Sequence, residues 1–82
     1  MIKLIPENSR YVGKTAQGRN IIMAQLISDT CAELAGVTEA DGQVCGFGSI
    51  ALAVTDGELC VLDSSGIWHK QSNGAAVTQG NA

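Results

Sequence analysis

A small, β-rich α+β domain is to be expected of this chain on three grounds. Asp56-Gly57 separates two apolar runs, Ile50 to Val54 and Leu59 to Leu62, which is the strongest short-range signal of a β-hairpin. Asp63-Ser64-Ser65-Gly66 supplies a second turn, with Gly66 where a left-handed residue is needed, and returns the chain as Ile67-Trp68-His69-Lys70. The two turns make a three-stranded antiparallel meander over about 49–70. The third ground is the segment 21–36, which carries start and stop signals for one helix.

Taken in order, Ile2, Leu4 and Ile5 fit a short strand that Pro6 ends, because proline cannot donate to a ladder. Glu7 to Asn20 is polar and holds Gly13 and Gly18, so residues 1–19 read as an extended basic arm. Residues 20–71 then form a single small domain. Residues 72–82, mostly Ser, Asn, Gly, Ala, Thr and Gln, read as a flexible tail that cannot bury enough apolar surface to offset its ordering entropy.

Ile21 to Gly36 admits two readings. In one, Met23, Leu26, Ile27, Thr30 and Leu34 follow a helical period between the caps Asn20 and Gly36. In the other, a strand near 20–27 is led by β-branched Ile21 and Ile22, and Ser28 or Asp29 caps a short helix, Thr30 to Ala35, that Gly36 ends. Val37 to Phe47, with Asp41-Gly42 and Gly46, reads as a connecting loop in which Val44 to Phe47 pairs briefly.

A two-residue type I′ loop at Asp56-Gly57 sets Thr55 opposite Glu58, Val54 opposite Leu59, Ala53 opposite Cys60 and Leu52 opposite Val61. One face then collects Ile50, Leu52, Val54, Leu59 and Val61, and the other Ala51, Ala53, Cys60 and Leu62. With Leu62 opposite Ile67, Trp68 joins the large-residue face and anchors the core there. The small face is left over, and Ala51, Ala53 and Cys60 permit close approach of a second copy. The expectation is a homo-oligomer in which Arg10, Lys14 and Arg19 lie against a neighbour's acids. Asp56, Gly57, Gly66 and Trp68 are the structural positions.

Eighty-two residues make one domain, which buries only roughly 60–65% of its unfolded surface. A net charge of −3 argues against nucleic acid, whose phosphates need clustered Lys and Arg. Residues 1–20 hold Lys3, Arg10, Lys14 and Arg19 against Glu7 alone, while seven acids face Lys70 in the remainder, so a basic segment precedes an acidic body. No apolar run approaches the roughly 18–20 residues of a membrane span, and the N-terminus lacks the pattern of a signal peptide, so no membrane association is expected.

Candidate chemistry is sparse. Gly13-Lys14-Thr15 echoes a phosphate loop, but Asn8 stands where the first glycine of that motif belongs. Cys31, Cys45, Cys60 and His69 are the residue types of a zinc site, with Cys60 and His69 as cross-strand neighbours, yet no Cys-x₂₋₄-Cys pair preorganises two ligands. Three widely spaced cysteines point instead to reduced, buried thiols. The carboxylates fall mostly in turns and caps. No catalytic residue, cofactor or metal is therefore expected, and the residues by themselves name no activity.

The short helix S-x-T-x-x-x-L from Ser28, the G-S-x-A entry at Gly48, the hairpin T-D-G-E-L-x-V-L from Thr55 and the closing S-S-G-x-W at Ser64 resemble small accessory domains of tailed bacteriophages and prophages. The likeness covers about half of the chain, and it favours the strand-plus-short-helix reading of 21–36. It implies a non-enzymatic virion component of the head-fibre, capsid-decoration or tail-fibre-associated type, assembled in the bacterial host cytoplasm. Such proteins are commonly trimers and dock on other virion proteins. Pro6 to Thr15 looks like their attachment arm. A small cytosolic module that binds a peptide at a sheet edge is the alternative.

Overall fold

At Ala24, and again between Gly46 and Ser49, the chain leaves one β-sheet and enters another. These two corners set the architecture of residues 1–77, which the computed structural model describes. The strands are β1 (Ile2–Leu4), β2 (Arg10–Lys14), β3 (Asn20–Met23), β4 (Gln25–Ser28), β5 (Glu39–Ala40), β6 (Gln43–Cys45), β7 (Ile50–Ala53), β8 (Glu58–Leu62) and β9 (Trp68–Lys70). A five-stranded sheet has the order β1-β4-β7-β8-β9 and a four-stranded sheet the order β2-β3-β6-β5. Pairing is parallel between β3 and β6 and between β4 and β7, and antiparallel elsewhere. Both sheets contribute to one hydrophobic core.

The corners are tied to each other by a buried serine. The Ser49 hydroxyl accepts from the Ala24 amide at 2.9 Å and donates to the Gly46 carbonyl at 2.8 Å. The Gly46 amide donates to Ile22 O and the Ile50 amide to Ala24 O, so both chain breaks keep their backbone groups satisfied. A Cβ on Gly46 would stand 3.0 Å from Ile21 Cγ2, closer than packed carbons sit, which explains glycine at the bend.

The expected short helix is a single 3₁₀ turn, Ala32–Leu34, and the only other helical turn among the described residues is Pro6–Asn8. The protein is thus β-rich with almost no helix. Side chains hold the amides that precede the turn: Glu33 Oε1 accepts from Asp29 and Thr30 at 3.0 Å each, and Asp56 Oδ2 accepts from Cys31 at 2.8 Å, while Ser28 and Asp29 make no cap. Gly36, at φ +77°, ends it as expected, after Leu34 has dropped into the core. The strand expected near 20–27 is two strands, β3 and β4, one in each sheet.

Residues 1–19 are not a free arm. β1 pairs with β4, β2 pairs with β3, and the Met1 ammonium bonds the carboxylates of Asp29 and Glu33. The expected tail also begins folded: Ser72 Oγ donates to Glu58 Oε1 at 2.7 Å, Ala76 bridges to His69, and Val77 is buried. Residues 78–82 lie outside the described residues.

The meander is present as β7-β8-β9, with two changes of register. Ala53 pairs with Glu58 and Leu52 with Leu59, so the hairpin loop is the four residues Val54 to Gly57 rather than two. Asp56 does not take the positive φ of a type I′ turn, whereas Gly57 does, at +61°. The amides of Val54 and Thr55 instead donate to Ser28 O and Asp29 O, and Asp56 holds the Cys31 amide. The parallel pairing with β4 therefore outlasts the antiparallel pairing with β8. The type I′ turn lies at the other Asp-Gly dipeptide, where Asp41 (φ 50°) and Gly42 (φ 78°) join β5 to β6.

In the second hairpin Leu62 pairs with Trp68, not Ile67, although the turn forms as expected: Asp63 Oδ1 accepts the amides of Ser65 and Ile67, and Gly66 has φ +84°. A slip of one residue moves a strand's side chains to the opposite face. Trp68 accordingly lies on the small-residue face with Leu62, and its indole N–H donates to Val37 O at 2.8 Å. That face, with Ala51, Ala53 and Cys60, is the core, and the large-residue face points outward.

Candidate functional site

Strand register places the outward side chains of the five-stranded sheet in two rows. Lys3, Ile27, Leu52 and Leu59 form one, and Gln25, Ile50, Val61 and His69 the other. Leu52 is 46% exposed and Leu59 42%, while Ile27, Ile50 and Val61 are half-buried by their neighbours. Val54 continues the patch beyond the end of β7 and is also exposed. Five β-branched or leucine side chains thus adjoin one another on three central strands, with Lys3 at one end of the first row and Gln25 and His69 at the two ends of the second. Scattered exposed apolar residues are ordinary, but a contiguous set rimmed by polar groups is the signature of an interaction surface.

His69 stands at one end of this face. Its Nδ1 lies 3.0 Å from Gly74 O and its Nε2 2.7 Å from Asp63 Oδ2. Both neighbours are acceptors, so only the imidazolium, with two N–H groups, satisfies both. The Gly74 carbonyl first, and the Asp63 carboxylate after it, raise the His69 pKa above its ordinary value. The Ile67 amide, and then His69, hold the Asp63 carboxyl below the usual carboxylate range.

The residues expected at an interface fall in three different places. Ala51, Ala53 and Cys60 are fully enclosed in the core, so they cannot meet a second copy. Arg19 is engaged within the chain, bonded through two guanidinium nitrogens to Glu39 at 2.7 and 2.9 Å and to Gly42 O at 3.1 Å. Arg10 and Lys14 remain exposed at the two ends of β2. The face of Ile50, Leu52, Val54, Leu59 and Val61, expected to carry the core, is the outward one. Locating it needed the one-residue register of Trp68.

The thiols are sequestered. Cys31, Cys45 and Cys60 are free and buried, with Cys31 Sγ 3.8 Å from Cys60 Sγ. Burial first, and then the Asp56 carboxylate, push the Cys31 thiol up to about 12; burial raises Cys45 and Cys60 as well. All three are protonated at neutral pH and are poor nucleophiles. Cys60 and His69 are not cross-strand neighbours, since Cys60 pairs with Lys70 and His69 points outward beside Val61. No group of three metal-ligating side chains assembles among the described residues. Gly13 and Lys14 lie in strand β2 rather than in a phosphate-binding loop.

A shallow cleft of about 150 Å³ opens where the outer face meets the Ala24 corner, lined by Asn8, Arg10, Met23, Ala24, Gln25, Gly48 and Ile50. It is smaller than the roughly 300 Å³ of the smallest usual ligand pockets. Among the described residues no helix is long and apolar enough to cross a membrane. By fold the chain is an all-β protein of two mixed sheets sharing one core. Comparison with protein-family models, with curated proteins and with solved structures gives no match.

Proposed function

We propose that this protein is a non-enzymatic structural or accessory component that works by self-association, and that a second copy docks on the outer face of the five-stranded sheet. The observation that carries this reading is the contiguous patch of Ile27, Ile50, Leu52, Leu59 and Val61, left facing solvent in a chain too small to cover it. A second copy suits the patch because an apolar sheet face can stack on its own copy. A two-fold axis along the strands lays the β1 edge of one copy against the β9 edge of the other. Stacking of a face on itself is isologous and closes as a dimer, so a dimer replaces the expected trimer. Five strands about 4.8 Å apart, each contributing about four residues of about 3.4 Å, give roughly 650 Å² of contact over both copies, below the stable class and in the range of weak, transient interfaces. Association is therefore concentration-dependent and suits an assembly in which copies are held close together. The placement in a phage or prophage particle, docked to other virion proteins, rests on the sequence resemblance alone.

Light scattering across a concentration series tests this. The wild type should rise from one towards two copies in mass, and Leu52→Lys should stay monomeric while keeping its circular dichroism spectrum. A wild type that is monomeric at every concentration would overturn self-association through this face.

A further inference from the structure

The four sheet edges differ in how they are closed. The β9 edge is covered by the chain that follows it, through Lys70 N–H to Ala75 O, Val77 N–H to Trp68 O and the His69–Ala76 bridge. β5 is only two residues long and its Glu39 is clamped by Arg19. β1 is three residues long and is followed at once by the turn at Pro6. β2, with five residues, is the longest edge strand, pairs with β3 on one side only and has no partner on the other among the described residues. Tyr11 is 58% and Val12 50% exposed. Such an edge presents a row of unpaired amides and carbonyls to an incoming strand.

Its charges specify the occupant. Arg10 and Lys14 bracket the strand, and neither makes an ion pair among the described residues, although the rest of the chain is acidic. A second β2 does not fit. Antiparallel self-pairing about Val12 sets Arg10 against Lys14 twice, and parallel pairing sets each against its own copy; like charges directly opposite are destabilising. We infer that the β2 edge is a docking site for an extended acidic segment of another protein, which adds a strand to the four-stranded sheet. Backbone hydrogen bonds hold the segment, and its carboxylates meet Arg10 and Lys14. The cleft beside the head of β2, floored by Met23 and Ile50 with Arg10 at its rim, receives an apolar side chain of the same segment. The bulge between Tyr11 and Gly13 sets the register at which that segment can pair.

The test uses the full chain carrying Leu52→Lys, so that binding at β2 is read independently of self-association. A fluorescent peptide of alternating Glu and Val is titrated by anisotropy, beside a peptide of alternating Lys and Val and an acidic peptide of equal charge N-methylated at alternate amides. The acidic peptide should bind saturably, more weakly at high salt, with amide hydrogen exchange slowed at Tyr11 to Gly13. Arg10→Gln with Lys14→Gln should weaken it about tenfold, as expected for two exposed charge contacts. N-methylation should abolish binding. Equal binding of the acidic and basic peptides, equal binding of the N-methylated one, or no slowing of exchange in β2 would each overturn the inference.

Discussion

The two faces of the five-stranded sheet are cut from the same strands and are both apolar, yet one is sealed and the other is wet. The sealed face holds Ala51, Ala53 and Cys60 beside Leu62 and Trp68; the wet face holds the bulkier Ile50, Leu52, Leu59 and Val61. Hydrophobicity alone would bury the second set. Volume decides otherwise: an indole as large as that of Trp68 packs at interior density only if its neighbours are small. Two alanines and a cysteine leave that room. The bulkier residues are then free to act as a surface, and the faces divide into one that stabilises the monomer and one available to a partner.

The division is sharpest in adjacent residues of β7. Ala53→Glu places an unpaired carboxylate in the core and should cost about 3–5 kcal/mol, a large share of the roughly 5–10 kcal/mol expected of so small a domain. Leu52→Lys, one residue away and outward, should stay within about 0.5 kcal/mol. Urea unfolding of both variants checks this, and equal losses would erase the distinction between the faces.

The two Asp-Gly dipeptides differ in a parallel way. Asp56 accepts the Cys31 amide, so Asp56→Ala should cost about 1 kcal/mol. Asp41 carries a left-handed φ of 50° at an exposed type I′ turn, so Asp41→Gly relieves that conformation and should be neutral to slightly stabilising. Thermal unfolding of the two variants measures the contrast. Equal losses would put Asp56 in a turn role rather than an anchoring one.

A smaller effect concerns His69, at the margin of the wet face. Its folded pKa is raised from the ordinary 6.5, so its contribution to stability is fully present below 6.5 and is lost as pH rises through the folded value. The folded pKa of Asp63 is lowered from 3.8, so its contribution is present above 3.8 and is lost as pH falls through the folded value. The pair is strongest between those two folded values. NMR titration should place the His69 midpoint above 6.5, and Asp63→Asn should lower it part of the way, because the Gly74 carbonyl remains. An unchanged midpoint in Asp63→Asn would show the ion pair to be unimportant.

What the sequence disclosed was local. The meander, the Asp63 to Gly66 turn, the Gly36 stop and the partition of β7 and β8 into a small face and a large face were all legible, because turn chemistry and alternation fix them within a few residues. The first hairpin slipped by two residues, which preserves faces, and the second by one, which does not. That single residue carried Trp68 across the sheet and exchanged interior for exterior. The parallel pairings of β3 with β6 and of β4 with β7 join segments more than twenty residues apart, and no local pattern announces them. The caps expected at Ser28 or Asp29 do not form: the 3₁₀ turn starts after Cys31 without a side-chain cap, and Ser28 and Asp29 bond the Thr30 carbonyl and the Met1 ammonium instead. Of the positions expected at an interface, Arg10 and Lys14 are exposed, Arg19 is held by Glu39, and Ala51, Ala53 and Cys60 lie in the core because the register of Trp68 reversed the faces.

Methyl NMR spectra recorded through a dilution series test the central claim most directly, since they read both faces of the sheet in one experiment. Shifts that move with concentration should be confined to Ile27, Ile50, Leu52, Leu59 and Val61, while Leu4, Leu26, Leu34 and Leu62 stay fixed. Spectra invariant at all concentrations, or changes centred on the Leu26 and Leu62 methyls, would contradict the assignment of the large-residue face as the surface through which this protein works.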